Sequence, residues 1–242
     1  MVNGESGPRI HTVDQLLDVL DQVVAASARG DRSQKTSAEF WTEMLTRPGH
    51  PLATQLPDEA LADWHERGLL GDLTGARVLD IGCGGGRNTN WFAQQGATVE
   101  GIDLAAPLLD SIRPTMPATV TLTALDVLRE PLPAGQFDLV YDSGCFHHIA
   151  PHRRLTYLER VLPAICTGGR FGIVTFAAER MKTPTDAEIV LTGDTDGGLA
   201  FTLDDLRGIF SPLNPVELRA VRPDREGLFG ADFLNAALFT AA

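Results

Sequence analysis

VLDIGCGGGRN, Val78 to Asn88, sets an acidic residue against a glycine turn at the end of an apolar strand. The run Ala76 to Ile81 reads as a buried parallel strand, and Gly82, Cys83, Gly84, Gly85 and Gly86 as a turn into a helix over Asn88 to Gln95. Glycines at such a turn permit positive φ and close backbone approach to a ligand. A pyrophosphate-binding turn follows G-x-G-x-x-G and has no carboxylate at its mouth. Here the third glycine position of that pattern is held by Arg87, and Asp80 lies two residues before Gly82. A carboxylate there repels a pyrophosphate and attracts an ammonium, directly or through water, which points to a cationic nucleoside bearing an amino-acid moiety.

Three further apolar runs end in the same way. Thr98 to Ile102 reads as a strand closing at Asp103, about twenty residues beyond the turn, where an acidic side chain reaches ribose hydroxyls in nucleotide-binding units. Val120 to Ala124 leads to Asp126 and Val127, from which a side-chain acceptor and a backbone amide can read an adenine edge. Phe137 to Tyr141 delivers Asp142. A lone Asp at a strand end is ordinarily a helix cap or a solvated turn residue. Four of them, Asp80, Asp103, Asp126 and Asp142, fit the crevice at the carboxyl ends of an open α/β sheet.

From Leu73 to the C-terminus the chain resembles the class I S-adenosylmethionine-dependent methyltransferases. The resemblance implies a Rossmann-like, seven-stranded, mostly parallel α/β sheet with helices on both faces. RFGIVTF (Arg170 to Phe176) would be its fifth strand after Gly168 and Gly169, and Val216 to Val221 and Phe233 to Thr240 its closing pair, the last antiparallel. It implies a catalytic domain over residues 73–242 and an N-terminal helical extension, or lid, over 1–72. It also implies that S-adenosylmethionine is held by Asp80, Gly82, Cys83 and Gly84 at the methionine part, Asp103 and Leu104 at the ribose, and Asp126 and Val127 at the adenine. Asp142, Ser143 and Gly144 would face the sulfonium and the substrate. FWTEMLTRPGHPLA (Phe40 to Ala53) and DSGCFHHI (Asp142 to Ile149) look similar to the thiopurine and tellurite-resistance methyltransferase-like group, whose members act on small molecules.

The segment before the motif reads as helices. Thr12 to Ala28 has Val13, Leu16, Leu17, Leu20, Val23 and Val24 at helical period. Gly30 to Ser37 reads as a polar loop, and Ser37 to Leu45 as a second helix with Ser37 as N-cap. Pro48, Gly49 and Pro51 break it, and Asp58 to Gly68 reads as a third helix capped by Asp58. Within this lid Phe40 and Trp41 are candidates to line the cofactor side, where an aromatic face near a sulfonium contributes about 1 kcal/mol when desolvated. Ordinary helix packing is the competing role for both rings.

Methyl transfer is an in-line displacement at a carbon already activated by positive sulfur, so alignment and water exclusion are the main needs. A base is required only for a nucleophile that starts protonated. His147 and His148 are the imidazoles beside the fourth strand end, and with Asp142 they are the candidate catalytic residues; His147 is the one expected to face the pocket, against a purely structural role for both. Arg180, Lys182 and Arg225, near the long segment Ala177 to Leu199 or the loop Pro223 to Gly230, are candidates to pair with an acidic substrate or to be simply solvated.

Bulk properties fit a single soluble enzyme domain of 242 residues with 43% apolar content. A net charge of −12 and the lack of a basic stripe disfavour nucleic acid; Arg153, Arg154 and Arg160 read as the solvated face of a helix. Cys83, Cys145 and Cys166 are odd in number and lack zinc spacing, so no metal is expected and the cytoplasm is the expected compartment. Gly4, Ser6, Gly7 and Pro8 mark a mobile start, and no apolar window is long enough to span a membrane. The expected reaction is methylation of an oxygen, nitrogen or sulfur of a small-molecule acceptor, releasing S-adenosylhomocysteine. The alternative keeps the ligand and changes the chemistry: its own amine attacks the γ-carbon, giving azetidine-2-carboxylate and methylthioadenosine. A silent cofactor-binding subunit and a dehydrogenase fit the motif less well, and no sequence feature specifies an oligomeric state.

Overall fold

The computed structural model describes residues 9–27, 30, 32–33, 37–49 and 53–242. The expected mobile start at Gly4 to Pro8, the end of the first helix at Ala28, part of the loop before Ser37, and the helix-breaking Pro51 lie outside the described residues. Among the described residues, three α-helices precede the first strand. Helix α1, Val13–Ala25, starts at a capping box in which Thr12 accepts from the Gln15 amide and Gln15 reaches back to the Thr12 amide. Its buried residues are Leu17, Asp21 and Val24, while Val13, Leu16 and Val19 are exposed, so the docked face is narrower than the apolar period suggests. Helix α2, Ala38–Thr46, begins after Ser37, whose side chain makes no capping bond. Helix α3, Glu59–Glu66, follows Asp58; that carboxylate likewise does not cap, because it is drawn into a buried ion pair.

The sheet strands are β1 (Arg77–Ile81), β2 (Thr98–Asp103), β3 (Val120–Ala124), β4 (Phe137–Ser143), β5 (Ile165–Ala177), β6 (Ala200–Phe201), β7 (Asn214–Ala220) and β8 (Leu234–Thr240). Between them run α4 (Arg87–Gln94), α5 (Ala106–Ile112), α6 (Pro151–Val161), α7 (Asp186–Thr192) and α8 (Leu203–Ile209). The order is β3-β2-β1-β4-β5-β8-β7, with all pairs parallel except β5/β8 and β8/β7. This is the expected Rossmann-like sheet with one addition. The two-residue β6 pairs in parallel with the end of β5 and makes the sheet eight-stranded; a segment that short carries no periodic signal.

β5 is longer than expected. It starts at Ile165, paired with Phe137, and its register slips before Arg170 pairs with Leu139, so the Gly168 to Gly169 turn is an irregularity inside the strand and Cys166 lies in it. The edge strand β7 carries Arg219, which meets Glu59 and Asp63 of α3, and Glu217, which meets Arg67 just after that helix.

Strand alternation splits the core into two layers. Leu79, Ile81 and Val140 face a layer with Phe146, Tyr157 and Phe210, while Val78, Leu139 and Tyr141 face a layer with Leu61, Trp64 and Phe92. Trp64 of α3 lies in that second layer, near Gly172 of β5, where an added Cβ would stand 3.2 Å from its ring and 2.8 Å from that of Tyr141.

The three arginines expected on a solvated helix face include two that are buried. Arg153 is 5% exposed and Arg154 9%, because α1 lays Asp18 and Asp21 against the first and α7 lays Asp186 against the second. Arg160 donates to the Glu130 carbonyl.

Candidate functional site

One cavity lies at the carboxyl ends of β1, β2 and β4 and the turn after β3, covered by α2. On its wall are Gly82, Cys83 and Gly84 from the glycine turn, Asp103 and Leu104 after β2, Asp126 and Val127 after β3, Ser143 and Gly144 at the end of β4, and Trp41 from α2. The turn is built for close approach. The amides of Gly82 and Cys83 both donate to the Ile102 carbonyl (2.8 and 3.0 Å), which clips the turn to β2. Gly82 has φ +66°, and a Cβ there would sit 2.6 Å from Cβ of Cys145, so glycine is what lets the segment after β4 approach the turn.

Asp103 holds the turn as well as facing the cavity. Its Oδ2 accepts from the Gly84 amide (2.9 Å) and its Oδ1 from the Ala105 amide (2.8 Å), leaving each oxygen a lone pair for a further donor. Burial raises its carboxyl above the usual value, against the pull of these amides. Asp126 accepts from the Leu128 amide (2.9 Å) and is set among Leu125, Val127 and Leu128.

Two expected carboxylates are not on the wall. Asp80 shares the β1 face of Val78, so its side chain points under α4 and accepts from the Thr89 hydroxyl at 2.5 Å. It is 1% exposed, and burial pushes its carboxyl up to about 7. Asp142 shares the β4 face of Val140 and points toward α6. There it accepts from the Tyr157 hydroxyl (2.7 Å) and from the amides of Cys145 and Phe146 (2.9 and 3.1 Å), anchoring the short 3₁₀ turn Phe146–His148. Burial pushes it up to about 6. Asp142 thus anchors the segment after β4 from behind and is not on the cavity wall, where it was expected.

The histidines also differ from expectation. His148 is on the cavity wall and His147 is not; His147 stacks on Phe176 with ring centres 3.8 Å apart. Their Nε2 atoms are 3.1 Å apart, one donating and one accepting, while both Nδ1 atoms are buried without a hydrogen-bond partner. Burial lowers the His147 imidazole well below its ordinary range and the His148 imidazole to about 3, leaving both neutral at pH 7. On α2, Trp41 reaches the wall and tilts over His148 (4.6 Å between centres), with Nε1 donating to the Arg32 carbonyl at 2.8 Å. Phe40 is off the wall and carries the Arg32 guanidinium on its face at 4.6 Å. Arg225 pairs with Glu66 at 2.9 Å, away from the wall.

The residue that sequence reasoning passed over is Arg87. It is on the wall, buried, and paired with Asp58 at 2.5 Å; its Nη2 donates to the Ser143 hydroxyl at 3.1 Å, and it lies over the Phe229 ring at 4.6 Å. A signal was present. A cation on the first turn of a helix opposes the macrodipole, so it calls for an anionic partner. Among the described residues no group of His, Cys, Asp and Glu could hold a metal ion, and no helix is long and apolar enough to cross a membrane.

Comparison with known proteins bears on the same segment. Residues 78–169 match a family described as a methyltransferase domain. The chain is 36% identical over 102 residues to an uncharacterized methyltransferase of Synechocystis sp., covering 41% of this chain and 47% of that protein. It is 31% identical over 130 residues to trans-aconitate 2-methyltransferase of Paracidovorax citrulli, covering 53% and 44%. The matched region thus spans less than half the length of these two relatives. Among solved structures, the 1,6-didemethyltoxoflavin-N1-methyltransferase of Burkholderia thailandensis, with S-adenosylhomocysteine bound, superposes with a TM-score of 0.58 at 21% identity, covering 100% of this chain and 98% of that one. At that identity the likeness concerns the fold.

Proposed function

We propose that this chain, which belongs to the class I S-adenosylmethionine-dependent methyltransferase superfamily, transfers a methyl group from S-adenosylmethionine to an oxygen, nitrogen or sulfur of a small molecule and releases S-adenosylhomocysteine. The observation that carries the reading is the convergence on one cavity of the glycine turn, Asp103, and the Asp126 to Leu128 segment, in the strand order of this fold. The donor set fits the cofactor. The Asp103 carboxylate retains acceptor capacity for two ribose hydroxyls, the Asp126 carboxylate and the apolar Leu125, Val127 and Leu128 suit an adenine, and the glycine turn brings backbone to the methionine part.

When bound, the cofactor supplies an electrophilic methyl on a positive sulfur. The protein's share is placement and exclusion of water. Helix α2 acts as the lid: a Cβ on Gly84 would meet Leu45 at 3.3 Å, and Trp41 closes the wall beside His148. Gly82 lets Ser143 to Cys145 stand against the turn, and Asp142 fixes that segment from behind through two amides. We place Asp80 as a support of the turn through Thr89.

A small-molecule acceptor is favoured over nucleic acid by the net charge of −12 and by the lid. The free thiols of Cys83, Cys145 and Cys166 suit a reducing compartment, which supports placing the enzyme in the cytoplasm. Calorimetric titration of S-adenosylhomocysteine tests the site. Wild-type protein binds it, and Asp103→Asn weakens binding roughly tenfold or more, since a charged acceptor is lost. Equal affinity in the variant removes Asp103 from the site.

A further inference from the structure

We propose that the acceptor of this site is a carboxylate, methylated to its ester, and that Arg87 and Ser143, with Arg32 on the same wall, recognise it. The inference rests on the methyl-transfer reading above. It adds the substrate class, from the charges and the proton acceptors that the cavity presents.

The wall carries charges of both signs. Asp103 and Asp126 are the carboxylates assigned to ribose and adenine, and Arg32 and Arg87 are its guanidinium groups. Arg87 reaches the end of β4, where the reacting methyl is expected, because its Nη2 donates to the Ser143 hydroxyl. That contact fixes the hydroxyl as an acceptor toward Arg87, so its own proton is free to point elsewhere and Ser143 becomes a donor on the wall. Asp58, Phe229 and the Leu56 carbonyl hold the guanidinium in one orientation. Asp58 offsets the charge of this guanidinium, and the fixed N–H donors that remain, beside a hydroxyl donor, suit a carboxylate.

Among the described residues, strong proton acceptors are scarce in the same region. His148 engages Nε2 with His147, and burial lowers its imidazole to about 3, so its open Nδ1 is a weak base. Asp142 and Asp80 point to the far side of their strands. Burial raises the Cys83 and Cys145 thiols well above their ordinary range, so they remain protonated. A hydroxyl or ammonium nucleophile would need one of these groups to take its proton. A carboxylate needs none. One of its oxygens forms the new bond to the methyl carbon as the carbon–sulfur bond breaks, and the bonding pair goes to sulfur. A carboxylate and a sulfonium become a neutral ester and a thioether, with no proton released.

A carboxylate also occurs on the methionine part of the cofactor, so the test separates the two sources. Wild-type, Ser143→Ala and Arg87→Lys proteins are given methyl-labelled S-adenosylmethionine with mono-, di- and tricarboxylic acids, each beside its primary amide, and with hydroxyl, amine and thiol acceptors. Thermal shift with the acids in the presence of S-adenosylhomocysteine, and calorimetry of S-adenosylhomocysteine itself, give readouts independent of turnover. The expected result is base-labile label, released as methanol, from at least one acid and from none of the amides. That acid also raises the melting temperature, and each variant raises its KM about tenfold while leaving S-adenosylhomocysteine affinity unchanged. Weaker S-adenosylhomocysteine binding with unchanged acid KM would assign the cations to the cofactor and overturn the proposal. Label in hydroxyl, amine or thiol acceptors alone would overturn it and leave methyl transfer standing. Label in no acceptor would overturn both.

Discussion

The Arg87 guanidinium and the Asp58 carboxylate form a buried ion pair, 2.5 Å from Nη1 to Oδ1, that joins the segment before α3 to the first turn after the glycine loop. The other Asp58 oxygen accepts from the Tyr141 hydroxyl (2.7 Å) and the Asn88 amide (2.9 Å), and Phe229 is clamped between the Pro57 carbonyl and the Glu59 amide. Four parts of the chain that are distant in sequence therefore meet at one pair beside the cavity.

Breaking that pair from one side leaves a buried charge. Arg87→Met strands the Asp58 carboxylate and is expected to cost about 3–5 kcal/mol of stability. Adding Asp58→Asn to it removes the stranded charge and should restore part of the loss. Urea denaturation of the two single variants and the double variant measures the coupling. Additive losses would mean that the two charges act independently.

The buried Asp80 gives stability a dependence on pH. Its folded value, about 7, is above the ordinary aspartate value of 3.8, so its contribution is fully present below the unfolded value and is lost as pH rises through about 7. Asp80→Asn keeps an oxygen for Thr89 and cannot ionise. Its melting temperature relative to wild type should therefore be higher at pH 8 than at pH 5. A difference that does not change with pH would show that Asp80 is ionised in the fold across that range.

These two relationships mark where the sequence was readable and where it was not. The strand and turn pattern around Gly82 is local, and so were the ends at Asp103 and Asp126. The direction of Asp80 and Asp142 was also available, since both lie on strands whose alternate residues face opposite layers; they were read by position along the strand and not by face. Asp58 looked like a cap because its partners Arg87 and Tyr141 are 29 and 83 residues away. Arg153 looked solvated because Asp21, its partner, is on a helix 132 residues earlier. Charge pairing of that kind follows from packing, which periodicity does not encode.

Asp21 anchors α1. It bonds His152 at 2.9 Å and Arg153 at 3.0 Å, with a further contact from Arg129. Burial would raise its carboxyl, but His152 and Arg153 outweigh burial and hold it well below the usual range. Asp21→Ala should cost about 3–5 kcal/mol by leaving Arg153 buried without this partner. Because the folded value is depressed, wild-type stability from this group is present above pH 3.8 and lost as pH falls, and the variant should lose less on acidification. Hydrogen exchange localises the effect: faster exchange over residues 13–25 is expected, and unchanged protection there would contradict the anchoring.

Trp41 separates a lid from a packing helix. Its ring is on the cavity wall, whereas α2 has no fully buried residue among those described. Trp41→Ala is expected to weaken S-adenosylhomocysteine binding about five- to tenfold, the loss of an aromatic face near the ligand, with a melting temperature close to wild type. Unchanged affinity would remove Trp41 from the site.

The most direct test of the central claim is mass-spectrometric identification of the nucleoside formed when purified protein is incubated with S-adenosylmethionine, first alone and then with small-molecule acceptors. The account predicts S-adenosylhomocysteine that appears only when an acceptor is present. Methylthioadenosine formed without any acceptor would contradict it and make the cofactor itself the substrate.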